Sequence, residues 1–493
     1  MSTDTRDTRS MGIVEANMLI GGRWVGGEDR IFVHNPARKS EVVGSVPRGT
    51  AQHAAAAVEA AAASFIEWSR TPILARAALL RRAAKVLAAG DSDRAQLLAQ
   101  ENGQLLSEAE GGVRGCARTF AYYADLGDSI SLVDEMPSPN GTVRVWKQPM
   151  GVAVLVVPWN APTRLAFLGL APILLAGNTV VVKPPTEAPL ALIDAIGAIH
   201  DLFPPGVINV VTGPGEEVGR ELVRHPLVRK INFTGSTESG KEILRLAADT
   251  VKRVSLELGG NDPALVLADA DIEHAVPELV RGVFGLSGQM CYDVKRIYVD
   301  RLIYDEFREA FVAAADRLVV GDGLDPASTM GSLISDRQRQ RIERMLRDAR
   351  AQGGHVETVG HKLDERAWDD GYFHLPTVVT DVDERCELVA REQFGPAIPI
   401  LPFSTVDEAV ERANATEYGL AASVWSRNEV EAFALAQRLQ AGSAFVNVHR
   451  LGASGDDMPF GGFKESGLGR SHGLIALEEQ FELQTISSRR PPG

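Results

Sequence analysis

Cysteine is scarce: Cys116, Cys291 and Cys386 are the only three in 493 residues, far apart and odd in number. That excludes a disulfide framework and fits a reducing compartment, a cytoplasm of bacterial type. A basic block is missing too. With Lys+Arg 51 against Asp+Glu 65, the formal charge is −14, which excludes a polyanionic partner and with it nucleic acid. No apolar run reaches membrane-spanning length. The most apolar region, Gly151 to Val182, is broken by Trp159, Asn160, Pro162, Arg164, Pro172 and Asn178 and reads as buried strands and a helix. Met1 to Met11 is polar, lacks the apolar core of a secretory signal, and reads as a short disordered tail.

Several catalytic signatures are absent as well. None of the ten histidines forms H-E-x-x-H or another close helical pair, so no metal site is expected. There is no G-x-S-x-G nucleophile elbow and no Walker loop ending in G-K-[ST]. What remains is cysteine chemistry.

The composition that is present, 45% hydrophobic and 24% charged, is globular, and the length calls for two or more domains. From Gly151 onward, short β-branched runs alternate with longer amphipathic ones, the pattern of βα units on a parallel sheet. Strands are predicted at Val152 to Val157, Thr179 to Lys183, Val207 to Val211 and Lys230 to Thr234. Helices are predicted at Thr163 to Leu175, Glu187 to His200 and Glu216 to Arg224. Strands so continuously apolar are covered on both faces, which predicts a doubly wound sheet. After Gly259 a second α/β block follows, with strands at Ile297 to Val299 and Ile398 to Leu401. Its helices are expected near Tyr304 to Leu318, Asp336 to Gln352, Val406 to Ala413 and Glu429 to Leu439.

Cys291 stands in Ser287-Gly288-Gln289-Met290-Cys291-Tyr292. The glycine and small polar residues put it in a loop or at a helix start, where backbone N–H groups can stabilise a thiolate and later an oxyanion. Taken alone, such a cysteine is more often a small buried hydrophobe. Glu257 lies between leucines and leads into Gly259-Gly260; an apolar setting would raise its pKa toward general-base work, although a plain exposed Glu at a strand end fits equally well. Asn160 ends a strand at the edge where open α/β sheets bind ligands, and it serves either an oxyanion or a turn. Two glycine-bearing strand-to-helix junctions, Gly213 to Gly219 and Gly235 to Gly240, suit a pyrophosphate. Neither has the spacing G-x-G-x-x-G.

Together these pieces resemble the aldehyde dehydrogenase superfamily over almost the whole chain. The resemblance is carried by Pro158-Trp159-Asn160, Lys183-Pro184, Phe233-Thr234-Gly235-Ser236-Thr237, Leu256-Glu257-Leu258-Gly259-Gly260, Gly288-Gln289-Met290-Cys291, Glu392-Gln393-Phe394-Gly395-Pro396 and Pro459 to Gly467. It implies oxidation of an aldehyde to the acid with NAD or NADP, with Cys291 as nucleophile, Asn160 at the oxyanion and Glu257 activating the hydrolytic water. It places Lys183 on the adenosine ribose, Glu392 on the nicotinamide-side ribose, Phe394 near the nicotinamide, Ser236 and its helix at the pyrophosphate, and Gly215 and Gly219 beside the adenine. Val156, Pro158, Trp159, Thr186, Glu187, Phe233, Gly235, Leu258 and Gly259 complete the expected cofactor contacts.

The same resemblance implies a doubly wound nucleotide-binding domain (12–129 and 150–258), a second α/β catalytic domain (259–465) and a small β oligomerisation arm with the C-terminal segment (130–149 and 466–493). In that arm Ile130 to Pro149 would meet Phe481 to Ser488, and a homodimer or homotetramer follows because a lone arm strand leaves an unpaired edge.

Three departures from the family pattern stand out. Thr186 takes a position where many NAD-specific members have Glu, with Glu187 beside it. Arg164, Tyr292 and Asp293 individualise the substrate tunnel. The loop Val448 to Met458, with His449, Arg450, Asp456 and Asp457, is expected at the tunnel mouth. Trp159, Leu165, Leu168, Met290 and Tyr292 suggest an apolar or aromatic aldehyde, whereas Arg164 or Arg450 would suit a carboxylated one. Three rival readings are a CoA-acylating relative, a non-redox cysteine esterase and a silent structural protein. Glu257 argues against the first, Lys183 and the glycine junctions against the second, and the intact Cys291, Glu257 and Asn160 against the third.

Overall fold

The computed structural model describes residues 13–139, 141–450, 455 and 457–489. The Met1 to Met11 tail therefore lies outside the described residues, as does most of the segment 451–456.

Two parallel sheets organise the chain. The first runs in the order Gly467–Leu468, Arg253–Glu257, Val228–Thr234, Val152–Val156, Thr179–Lys183, Ile208–Val210, Met18–Ile20, Arg23–Val25. Its five central strands are parallel, and antiparallel strands close both edges. Alternate residues of one strand feed different cores, as period-two geometry requires. Ala153 and Leu155 pack with the helices Pro162–Ala176 and Leu190–Ile199, while Val152 and Val154 pack with Ala51–Trp68 and Arg220–Arg224. Helices on both faces explain why these strands read as unbroken apolar runs.

Three of the predicted strands match to within a residue at each end; Lys230 to Thr234 extends back to Val228. The helix expected from Glu187 starts only at Leu190. Pro189 precedes it, and the buried Glu101 carboxylate accepts from the N–H groups of Leu190 and Ala191 at 2.7 and 2.8 Å, fixing the helix start there. The stretch read as the helix Glu216 to Arg224 opens instead with a wide π-wound turn, Gly215–Gly219, before Arg220–Arg224.

The second sheet follows the order His355–Thr358, Thr377–Thr380, Ala397–Phe403, Val294–Asp300, Asp262–Val266, Ala421–Trp425, Ser443–Val446, with only the first strand antiparallel. A third, three-stranded sheet stands apart. In it Phe481–Arg489 pairs with Gly141–Pro149 from Phe481↔Pro149 to Arg489↔Gly141, and Val133–Met136 pairs with the other edge of Gly141–Pro149. The C-terminal segment thus serves twice, since Gly467–Leu468 has already joined the first sheet beside Glu257.

Candidate active site

The topology brings the site together. The parallel part of the first sheet starts at Val152–Val156, adds strands on one side, then returns to place Val228–Thr234 on the other. The carboxyl ends of these two strands flank the point where strand order reverses, the place where open α/β sheets bind ligands. Pro158-Trp159-Asn160 and Gly235-Ser236 leave from there. Glu257 ends the next strand, and Leu258 to Asn261 carry the chain into Asp262–Val266 of the second sheet. Cys291 lies just before Val294–Asp300, whose Val294 pairs with Asp262. Glu257 and Cys291 therefore approach the second sheet at the same edge.

Cys291, Glu257 and Asn160 line one cavity of about 260 Å³, together with Leu165, Leu168 and Tyr292. Glu257 is pushed up to about 8 by burial; Ser471 and Arg470 pull it back without restoring the ordinary carboxylate range. Its Oε2 is buried and has no hydrogen-bond partner among the described residues. Burial also pushes the Cys291 thiol well above its ordinary value, and the carboxylates of Glu392, Asp262, Glu257 and Asp293 add to the rise. Cys291 thus rests as a thiol. Cys116 and Cys386 are buried in the two lobes' cores, and burial pushes Cys116 up to about 12.

The nucleophile loop is strained and pinned. Leu286, Ser287 and Gly288 all have positive φ, at 48°, 59° and 73°. A Cβ on Gly288 would meet the Gly395 carbonyl oxygen at 2.4 Å, so glycine is required there. The two non-glycine residues each cost about 1–3 kcal/mol, which the surroundings must offset. Glu108 accepts from the Leu286 N–H at 2.8 Å, the Ser287 hydroxyl donates to the Gly331 carbonyl, and Lys295 Nζ donates to the Gly288 carbonyl at 2.8 Å. Asn160 Nδ2 donates to the Gln289 carbonyl at 2.8 Å, and Asp293 accepts from the Met290 N–H.

His449 lies within this framework: its ring is buried, bridging the Ser423 hydroxyl and the Tyr292 carbonyl, and it borders, with Arg450, a cavity of about 330 Å³ next to the first. Trp425 Nε1 donates to Ser423 Oγ, so the hydroxyl proton points to His449 Nδ1 and the Nε2–H is left for Tyr292. Burial lowers His449 to about 4, leaving it neutral. After all this, the Cys291 N–H has no partner among the described residues, and an oxyanion beside the sulfur would find it free.

Sequence reasoning missed several of these supports. Asn102 donates to the Trp159 and Asn160 carbonyls, and Glu108, Lys295 and Arg470 carry no motif that marks them. Other expectations are sorted by the same geometry. Leu165, Leu168, Met290 and Tyr292 line the cavity; Trp159 does not, and packs edge-on against Phe394 at 5.4 Å. Arg164 borders this cavity and a neighbouring one of about 330 Å³, which Arg450 and Asp293 also border. Asp456 lies outside the described residues, and Asp457 is exposed.

Several features beside the first sheet suit a dinucleotide. Nothing approaches within 4 Å of where a Cβ on Gly215 would stand, and at Gly219 only the Lys183 side chain comes near, at 3.8 Å, which leaves a slot for a flat ring. The helix Thr237–Ala248 is capped by Ser236, whose hydroxyl accepts from the Ser239 N–H. The N–H groups of Thr237 and Glu238 have no partner among the described residues, so that terminus suits a phosphate. Gly235 lies against the Phe233 ring and allows the close turn into this helix. Lys183 is buried and lowered to about 8 by burial, with Glu187 raising it in part. Thr186 is half-buried and Glu187 exposed in the loop before Leu190. Glu392 accepts from the Gly260 N–H at 3.0 Å, and its carboxylate would touch a Cβ on Gly259. Val156 and Pro158 are half-buried and Leu258 is buried along the same edge. Among the described residues no group of three or more His, Cys, Asp or Glu could hold a metal, and no described helix is long and apolar enough to cross a membrane.

Residues 24–486 match the model of the "Aldehyde dehydrogenase family". The chain is 38% identical over 469 residues to a probable succinate-semialdehyde dehydrogenase [NADP(+)] of Sinorhizobium fredii, covering 94% of this chain and 93% of that one. It is 37% identical over 485 residues to the phenylacetaldehyde dehydrogenase of Pseudomonas fluorescens, covering 95% of each. A crystal structure of a betaine aldehyde dehydrogenase variant from Staphylococcus aureus in complex with NAD+ superposes with a TM-score of 0.93 at 32% identity, covering 97% of this chain and 98% of that chain.

Proposed function

The chain belongs to the aldehyde dehydrogenase family, and from that premise we propose that it oxidises an aldehyde to its carboxylic acid with NAD or NADP through a thioester on Cys291. The observation that carries the reading is the meeting of Cys291, Glu257 and Asn160 in one cavity, beside an unpartnered Cys291 N–H. Solvent water takes the proton of the resting Cys291 thiol, the sulfur bonds to the carbonyl carbon as the C=O π bond opens, and the negative oxygen of this thiohemiacetal is held by that N–H and the Asn160 amide. When bound, NAD(P) supplies a hydride acceptor. Glu257 then takes a proton from water as the water oxygen bonds to the thioester carbon, the C–S bond breaks and the acid leaves. Cys291→Ala should abolish aldehyde oxidation and leave cofactor binding nearly intact; acylation of Cys116 or Cys386 by substrate would overturn the assignment.

Relatives named for succinate semialdehyde and for phenylacetaldehyde are almost equally similar to this chain, so the cavity must decide the substrate. Leu165, Leu168, Met290, Tyr292 and Phe460 surround Cys291, and the Arg164 Nη1 is engaged with the Gly115 carbonyl and the Thr119 hydroxyl. These features favour an apolar or aromatic aldehyde. One observation favours a carboxylated aldehyde instead: Arg118, exposed, also borders the cavity. Steady-state kcat/KM over aliphatic, aromatic and carboxylated aldehydes decides between them, and the apolar reading fails if a carboxylated aldehyde leads.

Division of the chain into a nucleotide-binding domain around the first sheet, a catalytic domain around the second and an arm follows from this reading. The arm strand Phe481–Arg489 keeps one free edge, with Leu483 65% exposed, and supports a homodimer or homotetramer closed by a second copy. Three free cysteines support a cytoplasmic site of action.

A further inference from the structure

The wall between the catalytic cavity and the outside is crossed at one place by a short polar chain. Ser255 sits two residues before Glu257 on the strand Arg253–Glu257, hence on the same face, and both line the catalytic cavity. Ser255 Oγ is 2.5 Å from Glu479 Oε2, and Lys230 Nζ is 2.6 Å from Ser255 Oγ. An ammonium only donates and a carboxylate only accepts. The Ser255 hydroxyl therefore accepts from Lys230 and donates to Glu479. Glu479 is held in place by the Arg470 N–H, which donates to its Oε1 at 2.7 Å, and Lys230 stands 3.7 Å from its Oε2. Its side chain is 25% exposed, and with Lys230 it borders an external cleft of about 610 Å³.

Building on the function proposed above, we propose that Ser255 and Glu479 form the proton exit of the deacylation step. Each turnover leaves Glu257 with a proton taken from water, and Glu257 must lose it before the next. A cavity water accepts that proton from Glu257 and gives up another of its own to the second lone pair of Ser255 Oγ, whose original proton moves to the Glu479 carboxylate and from there to solvent in the cleft. The chain returns to its starting state when the Ser255 hydroxyl turns back, so protons and charges balance with no other reactant.

The other polar groups near Glu257 do not border the cleft. Ser471 donates to the Phe460 carbonyl, and the Arg470 guanidinium has no acceptor with which to take a proton. His472 is 7% exposed, stacks on Phe460 and does not border the cleft. Lys230, 3.7 Å away, is the cation beside Glu479.

The test compares Ser255→Ala, Glu479→Gln and Glu479→Asp with wild type by following reduced cofactor after mixing enzyme, aldehyde and NAD or NADP. The relay predicts an unchanged first-turnover burst in all four. It also predicts a post-burst rate lowered about tenfold or more in the Ala and Gln variants, restored by millimolar imidazole as a diffusible proton carrier, with Glu479→Asp close to wild type. Post-burst rates that stay at the wild-type level, or that fall without recovery in imidazole, would overturn the relay. A wild type that gives no acyl-Cys291 species at all would instead overturn the underlying function.

Discussion

Asn160 Nδ2 donates to the backbone carbonyl of Gln289 at 2.8 Å, which ties the proposed oxyanion donor from the first sheet to the loop that carries Cys291. Its Oδ1 is buried without a partner. The amide has a second hydrogen to offer, and the same contact sets its distance from Cys291. Asn160→Ala should lower kcat by about 10²- to 10³-fold with a smaller effect on KM. An unchanged kcat would show that the Cys291 N–H suffices alone.

Glu257 is held at about 8 by burial. Its basic, ionised form is the minority below that value and the majority above it, so deacylation-limited turnover should rise with pH and level off above about 8. Glu257→Gln should keep a burst of reduced cofactor near one per site and slow the following phase by about 10²- to 10⁴-fold, with the pH step gone. Loss of the burst itself would move Glu257 to deprotonation of the raised Cys291 thiol.

Thr186 offers no negative charge where a Glu would accept from both ribose hydroxyls and repel a 2′-phosphate. Lys183 lies close to Gly219, and Glu187 is exposed and not hydrogen-bonded to it. The wild type should use NADP within about an order of magnitude of NAD, roughly 1.4 kcal/mol. Thr186→Glu should lose NADP selectively. Measured kcat/KM for both cofactors settles the point: a thousandfold preference in the wild type, or none gained by the variant, would refute it.

Lys295 Nζ donates to the Gly288 carbonyl and stands 3.9 Å from Asp293, and its charge opposes the rise that burial causes in Asp262, Asp293 and Glu392 alike, with Arg296 helping at Asp262 and Arg341 at Glu392. Lys295→Met removes this balance and should cost about 3–5 kcal/mol. The sign with pH is definite. Carboxyl groups whose folded values lie above their unfolded ones bind more protons when folded, so stability falls as pH rises past the unfolded values. Without Lys295 that fall should steepen. Tm against pH for wild type and variant measures it, and parallel curves would contradict the role.

Much of this protein is written locally. Val152–Val156, Thr179–Lys183 and Ile208–Val210 were readable because strands covered on both faces must be apolar at every position. The three residues that meet in the cavity were legible because Cys291, Glu257 and Asn160 sit in short motifs whose glycines and flanking residues are adjacent in the chain. The tertiary structure decided what depends on distant partners. Glu101 and Pro189 moved a helix start to Leu190, leaving Thr186 and Glu187 in a loop. Trp159 turned to Phe394 instead of the substrate cavity, and His449 went inward to the Tyr292 carbonyl. Asn102, Glu108 and Lys295 gained their roles only where the fold set them against the Trp159 backbone and the strained loop Leu286 to Gly288. Burial and long-range hydrogen bonds determine these positions, and neither is encoded in the spacing of neighbours along the chain.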